Sequence, residues 1–234
     1  FYVGTGTSGR LGVLDAAECP PTFSTNPDMV QGIIAGGYDA LVKSIEDAED
    51  IPADGAAAIL NYEINAEDVV LGITASSSTP YVLGALEKAK EIGAITGLLL
   101  CNYPPKLEYV DHIISIIVGP EVISGSTRMK AGTATKMVLN MITTTLMIKL
   151  NKTYGNLMVD LKASNEKLWD RGTRIIQHLT DLSYDDSLKL LQSADGEVKT
   201  AIVMEKLKME AGDTREKLNE NKGSLRKVLD GELS

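Results

Sequence analysis

Cysteine, histidine, aromatic and basic residues are all scarce in this chain of 234 residues. The two cysteines, Cys19 and Cys101, and the two histidines, His112 and His178, form no CxxC pair and no Cys/His cluster, which excludes a disulfide framework and a zinc site. Aromatic residues make up 5% of the chain, too few for the stacking platforms of a single-strand nucleic-acid binder. Lys and Arg number 23 against 32 Asp and Glu, a formal charge of −9 that repels nucleic acid and anionic membranes. No apolar run approaches the ~18 residues of a membrane span, and no signal peptide is visible. What remains is a small-molecule or protein partner. Hydrophobic residues at 44% are ample for a buried core, and the length fits one large domain or one domain with an appendage.

Apolar runs alternate with Gly/Ser/Thr loops and helical patterns. Phe1–Val3 reads as the tail of a strand, so a preceding segment is expected upstream. Arg10–Ala17 opens a helix, Val30–Ala35 is a second strand, and Tyr38–Ala48 and Ala53–Asn61 carry helical spacing. Asp68–Thr74 is a strand buried on both faces, Thr79-Pro80 opens a helix to Ile92, and Ala94–Cys101 and His112–Val118 are strands. This alternation predicts an α/β fold with a parallel sheet flanked by helices. Beyond it, Ala131–Leu150 and Leu157–Leu179 read as long helices, followed by helical stretches near 185–194, 198–210 and 213–221 and a charge-rich tail over 205–234. Met129, Met137, Met141 and Met147 fit core or interface packing, and His112 and His178 fit structural roles.

Three strand-to-helix junctions are crowded with hydroxyls and small residues: Thr5–Gly9, Thr74–Thr79 and Ser124–Thr127. Such junctions present free backbone N–H groups at the positive end of a helix dipole, and three in succession point to an anion site, most simply for a phosphate. Each loop taken singly is equally well read as helix capping. The first is no nucleotide P-loop, because it lacks Gly-Lys-[Ser/Thr]. Its Gly4-x-Gly6-x-x-Gly9 spacing is a weak dinucleotide signal, since the next strand ends in Ala35-Gly36-Gly37 without the acidic residue such sites need.

Gly4-Thr5-Gly6-Thr7-Ser8-Gly9-Arg10-Leu11-Gly12 running into Asp15-Ala16-Ala17-Glu18-Cys19-Pro20-Pro21-Thr22 resembles the signature of the N-acetylmuramic acid 6-phosphate etherase family. Ile34–Gly37 with Glu46–Asp50, Gly125–Ala134 and Tyr154–Asp160 fit the same family in the same order. The resemblance implies a sugar isomerase (SIS) domain over residues 1–160, a flavodoxin-like sandwich, with a helical C-terminal region over 161–234. It further implies a cytoplasmic homodimer acting on a phosphosugar, with its sites near the subunit interface. The implied reaction is loss of the lactyl ether from C3 by elimination across C2–C3 and water addition, which calls for no metal and no cofactor. Two other readings carry different chemistry: a non-catalytic phosphosugar-binding regulator, and an SIS-type aldose–ketose isomerase.

Elimination of an ether needs one group to remove the C2 proton and another to protonate the departing oxygen, a division of labour suited to two carboxyl groups. By resemblance these are Glu18, assigned as the acid, and Glu49, assigned as the base, although the roles are interchangeable at this level. Glu18 lies among Ala16, Ala17, Cys19 and Pro20 beside an expected loop, where desolvation would favour its protonated form. Glu49, in an acidic stretch, reads on its own as a solvated surface charge. Phosphate and substrate contacts carry over to Thr7 and Ser8, to Ser76, Ser78 and Thr79, and to Ser126 and Thr127. Arg128 and Lys130 are the cations expected for a carboxylate or phosphate. One departure stands out: where the family usually has Ala-Ser-Gly-Arg-Thr-Pro-Tyr, this chain has Ala75-Ser76-Ser77-Ser78-Thr79-Pro80-Tyr81, losing a glycine and a guanidinium.

Overall fold

Five short strands, β1 (Tyr2–Gly4), β2 (Gly32–Ile34), β3 (Val69–Thr74), β4 (Ile95–Leu100) and β5 (His112–Ser115), organise the N-terminal part of the chain. In this computed structural model, which describes residues 1–231, they form one parallel sheet in the order β2-β1-β3-β4-β5. That order is the flavodoxin-like one, and its topological switch point lies between β1 and β3, where a crevice opens outside the strand ends.

Alternation along the strands feeds two cores. Val3, Val70, Leu98 and Leu100 pack against α3 (Pro52–Asn61) and α4 (Pro80–Ile92), through Ile59, Val82 and Leu86. Tyr2, Leu71, Ile73 and Leu99 point the other way, toward Ala16 of α1 (Gly6–Phe23) and Leu139 of α5 (Lys130–Lys149). Burial on both faces explains the near-continuous apolar runs of β3 and β4. Beneath the second face, Asn140 of α5 donates to the Asp15 carboxylate of α1 at 2.5 Å.

The turn from β1 into α1 is close-packed. A Cβ on Gly4 would lie 2.7 Å from the Gly9 backbone nitrogen, and one on Gly9 would lie 2.7 Å from the Gly4 carbonyl oxygen. Only glycine at both positions lets the helix start directly over the strand end.

The expected elements differ in detail at five places. Strands 30–35 and 112–118 are shortened to β2 and β5. The helix expected over Tyr38–Ala48 stops after one turn, α2 (Asp39–Val42), and a 3-10 turn follows at Asp47–Glu49. Arg10 accounts for the break: its Nε and Nη2 donate to the carbonyls of Leu41 (3.1 Å) and Lys43 (2.8 Å), acceptors that a continuing helix would use itself. Residues 157–165 are irregular rather than helical, with Lys162 bridged to Glu197 and the Ala163 N–H bonded to Gly196. The region around Glu18 is no loop, because α1 runs on through Pro20 and Pro21 to Phe23.

The chain divides into two compact units, Phe1–Glu18 with Pro27–Ile142, and Cys19–Asn26 with the residues from Thr143 onward. The second unit contains α6 (Glu166–Leu179), α7 (Tyr184–Ser193), α8 (Val198–Leu207), α9 (Ala211–Glu220) and α10 (Leu225–Asp230) around buried Ile176, Leu191, Ile202 and Leu225. The last three residues of the expected helical tail lie outside the described residues. Lys199 is buried here. It donates to the Asn151 and Gly223 carbonyls at 2.8 and 2.7 Å and pairs with Asp160 at 3.3 Å, and its burial lowers its pKa. Among the described residues, no helix is long and apolar enough to cross a membrane.

Two consequences are measurable. Gly9→Ala forces a methyl group against the Gly4 carbonyl and should destabilise the protein by about 1–3 kcal/mol, read from its denaturation midpoint. Asp111 accepts hydrogen bonds from Lys90 Nζ (2.5 Å) and from the N–H and hydroxyl of Thr96 (both 3.0 Å), which hold its pKa down at about 2. A depressed carboxyl pKa stabilises the fold above the ordinary carboxylate range and ceases to do so as pH falls through about 2. Wild type should therefore exceed Asp111→Asn in stability at pH 7, with the difference closing as the pH drops from about 4 to about 2.

Candidate active site

The carboxyl end of β1 delivers the chain directly into α1. The Thr5 carbonyl accepts the first intrahelical bond, from the Gly9 N–H at 3.0 Å, which leaves the N–H groups of Gly6, Thr7 and Ser8 facing outward without an intrahelical partner. Gly6 has φ +47°, a left-handed conformation that glycine adopts freely. Beside this helix N-terminus is a cavity of about 250 Å³ lined by Thr7, Ser8, Ser76, Thr79, Thr127 and Glu49. It sits at the end of neighbouring β1 and β3, the switch point of the sheet. Hydroxyls and free amides at a helix N-terminus are the donor set a phosphate takes.

The second loop is held by its own hydroxyls. Thr74 Oγ1 lies 2.7 Å from Thr79 Oγ1 and 3.4 Å from Ser76 Oγ. Ser77, where the family usually has glycine, adopts φ +79°, so this loop keeps a glycine-type backbone without glycine. A non-glycine residue there carries a cost of roughly 1–2 kcal/mol. Ser78 does not line the cavity and bonds only weakly to Ser76, at 3.4 Å from both its N–H and its hydroxyl.

Glu49 arrives from the other side, on the 3-10 turn that follows the broken α2. Its Oε2 accepts a hydrogen bond from Thr5 Oγ1 at 3.0 Å. A second cavity of about 350 Å³ opens beyond it, lined by Arg10, Ala35, Ala40, Ile45 and Ala48. Thr5, Gly6 and Glu49 belong to the walls of both cavities, so the Glu49 carboxylate stands at the seam between them. Arg10, by stopping α2, fixes the stretch of chain that carries this carboxylate.

The other residues expected at the site lie elsewhere. Glu18 is exposed, not desolvated, and lines neither cavity. It lies ten residues beyond Ser8 on α1, about 15 Å along the helix axis. Ser126 lines neither cavity, its N–H being bonded to the Ile123 carbonyl. Arg128 is exposed and makes no ion pair among the described residues, and Lys130 directs its ammonium to the Pro120 carbonyl at 2.8 Å. The third helix N-terminus is closed, because the Glu121 carboxylate accepts from the N–H groups of Lys130 and Ala131, both at 3.0 Å. Those bonds, Ala131 foremost, hold the Glu121 carboxyl below the usual carboxylate range.

Two residues at the site, Thr5 and Arg10, carried no assignment in the sequence, and neither did Glu121 at the closed helix N-terminus. A hydroxyl at the N-cap and a cation in the first turns of a helix that follows a phosphate-type loop were the available signals for the first two. Glu121 has none, because its capping partners lie nine and ten residues away. Among the described residues, no group of three or more His, Cys, Asp or Glu side chains is placed to hold a metal ion.

Comparison with known proteins identifies the family. Residues 1–90 match the family model described as the glucokinase regulatory protein N-terminal SIS domain, and residues 155–201 that of the C-terminal lid domain of glucokinase regulatory protein. The N-acetylmuramic acid 6-phosphate etherase of Microcystis aeruginosa is 54% identical over 98% of this chain and 75% of its own length. The proteins of the same name from Crocosphaera subtropica and Bacillus pumilus are 52% and 50% identical over 98% of this chain, covering 75% and 76% of their own lengths. With half of its residues identical over nearly its whole length, the chain belongs to the N-acetylmuramic acid 6-phosphate etherase family.

Proposed function

We propose that the protein cleaves the D-lactyl ether at C3 of N-acetylmuramic acid 6-phosphate, releasing D-lactate and leaving N-acetylglucosamine 6-phosphate. The observation that carries this reading is the Glu49 carboxylate, held by Thr5 within reach of a phosphate-type cavity at the N-terminus of α1. The 6-phosphate takes the free amides of α1 and the hydroxyls of Thr7, Ser8, Ser76 and Thr79. With the phosphate there, the sugar carbons extend toward Glu49. In the ring-opened aldehyde the C2 proton is acidified, and Glu49 removes it. The C3–O bond then breaks, the departing lactate oxygen takes a proton from Glu18, a water that loses its proton to the same Glu18 adds at C3, and Glu49 returns its proton to C2.

Glu18 is too far along its own α1 to reach the Glu49 of the same chain. Its surroundings support a homodimer that brings it to the partner's site. Leu14, 50% exposed, lies one turn before Glu18 on the same helix face, and Met137 and Met141 on α5 are 51% and 54% exposed. An interface that covers Leu14 carries Glu18 into the partner. We place such a dimer in the cytoplasm.

The direct test is incubation with N-acetylmuramic acid 6-phosphate and assay of D-lactate. Tight binding of the sugar phosphate without lactate would turn the reading to a non-catalytic binder. Glu18→Gln and Glu49→Gln should each lower lactate release by about 10²–10⁴-fold. Glu18→Gln should still exchange the C2 proton with deuterated solvent, whereas Glu49→Gln should not. Co-expression of the two variants should restore about a quarter of the wild-type rate, because each mixed dimer holds one site with both glutamates intact. No recovery on co-expression would place both groups in one chain.

A further inference from the structure

We propose that the Arg10 guanidinium binds the carboxylate of the lactyl substituent, and so distinguishes the ether-bearing phosphosugar from the product that has lost it. This rests on the lactyl-ether reading above. Arg10 is the one cation that lines either cavity among the described residues. Its partners are two neutral carbonyls, those of Leu41 and Lys43. Three of the five N–H donors of a guanidinium therefore have no partner among the described residues. No carboxylate pairs with it: Glu46 and Glu49 share the cavity wall but form no ion pair with Arg10. A half-buried guanidinium with an unmatched charge and spare forked donors is suited to a carboxylate ligand.

The rest of the wall fits the remainder of that substituent. Ala35, Ala40, Ile45 and Ala48 offer small apolar contacts for its methyl group. Because Thr5, Gly6 and Glu49 wall both cavities, a phosphate in one and a C3 substituent in the other place C2 and C3 beside Glu49. Arg128 and Lys130, the cations singled out by the sequence, line neither cavity.

The test compares two ligands that differ by the lactyl group alone. Calorimetry measures binding of N-acetylmuramic acid 6-phosphate and of N-acetylglucosamine 6-phosphate to protein carrying Glu18→Gln, which suppresses turnover, with and without Arg10→Gln. The glutamine can still donate to the Leu41 or Lys43 carbonyl but carries no charge. Arg10→Gln should weaken the lactyl-bearing ligand by about 10- to 100-fold and leave the other within about twofold. Equal weakening of both ligands would mean that Arg10 only supports its loop, and no weakening of either would remove it from the site. Should Arg10→Gln not fold, Arg10→Lys serves in its place: retention of the charge without the fork should cost the lactyl-bearing ligand alone, and a parallel loss of both overturns the proposal. Lactate release by the wild-type protein is measured separately. Its failure would sink the reaction while leaving the ligand preference of Arg10 to be read from the calorimetry.

Discussion

The contact between Gly4 and Gly9 governs the site. Because neither residue has a Cβ, the backbone of β1 and the first turn of α1 approach so closely that the helix begins on top of the strand end. That placement sets the free amides of Gly6, Thr7 and Ser8 at the switch point of the sheet, beside the end of β3. Thr5, caught between the two glycines, is thereby aimed at Glu49. Chain geometry supplies the donors, and side chains refine them. The net charge of −9 is no obstacle, since an anion at this position meets local dipoles and hydroxyls rather than the average surface.

A second dependence runs through Arg10. Its guanidinium occupies the carbonyls of Leu41 and Lys43, which a continuing helix would use, and what the sequence pattern presents as an eleven-residue helix is a single turn, an irregular stretch and a 3-10 turn. A helix through Ala48 would carry Glu49 along its own axis. The break carries it to the end of β1 instead. One side chain so determines both where a carboxylate stands and what shape of cavity opens behind it.

Much of this was legible in the sequence. The strands β3 and β4, the Thr79-Pro80 start of α4 and the span of α5 follow from apolar runs and helix-start chemistry, which are local. The hydroxyl-rich first two loops announced donors at helix starts for the same reason. The failures are non-local. Helical spacing over Tyr38–Ala48 is real, but Arg10, some thirty residues earlier, overrides it. Residues 157–163 are not helical, and the partners of Lys162 and Ala163 lie over thirty residues on, at Glu197 and Gly196. Glu18 sits among small residues in sequence, yet on a helix its neighbours in space are those one turn away, and its face is open. Two of the boundaries between the compact units, at Glu18/Cys19 and Ile142/Thr143, fall inside α1 and α5, within helical pattern rather than at a loop.

Glu121 has a further consequence. Its carboxylate is tethered nine residues from the amides it caps, so the N-terminus of α5 meets it at an effective concentration on the order of millimolar. Any dissolved anion competes for those amides against a ligand that never diffuses away. The three loops look alike as sequences, but this one is already capped from within, whereas the amides at the start of α1 stay open.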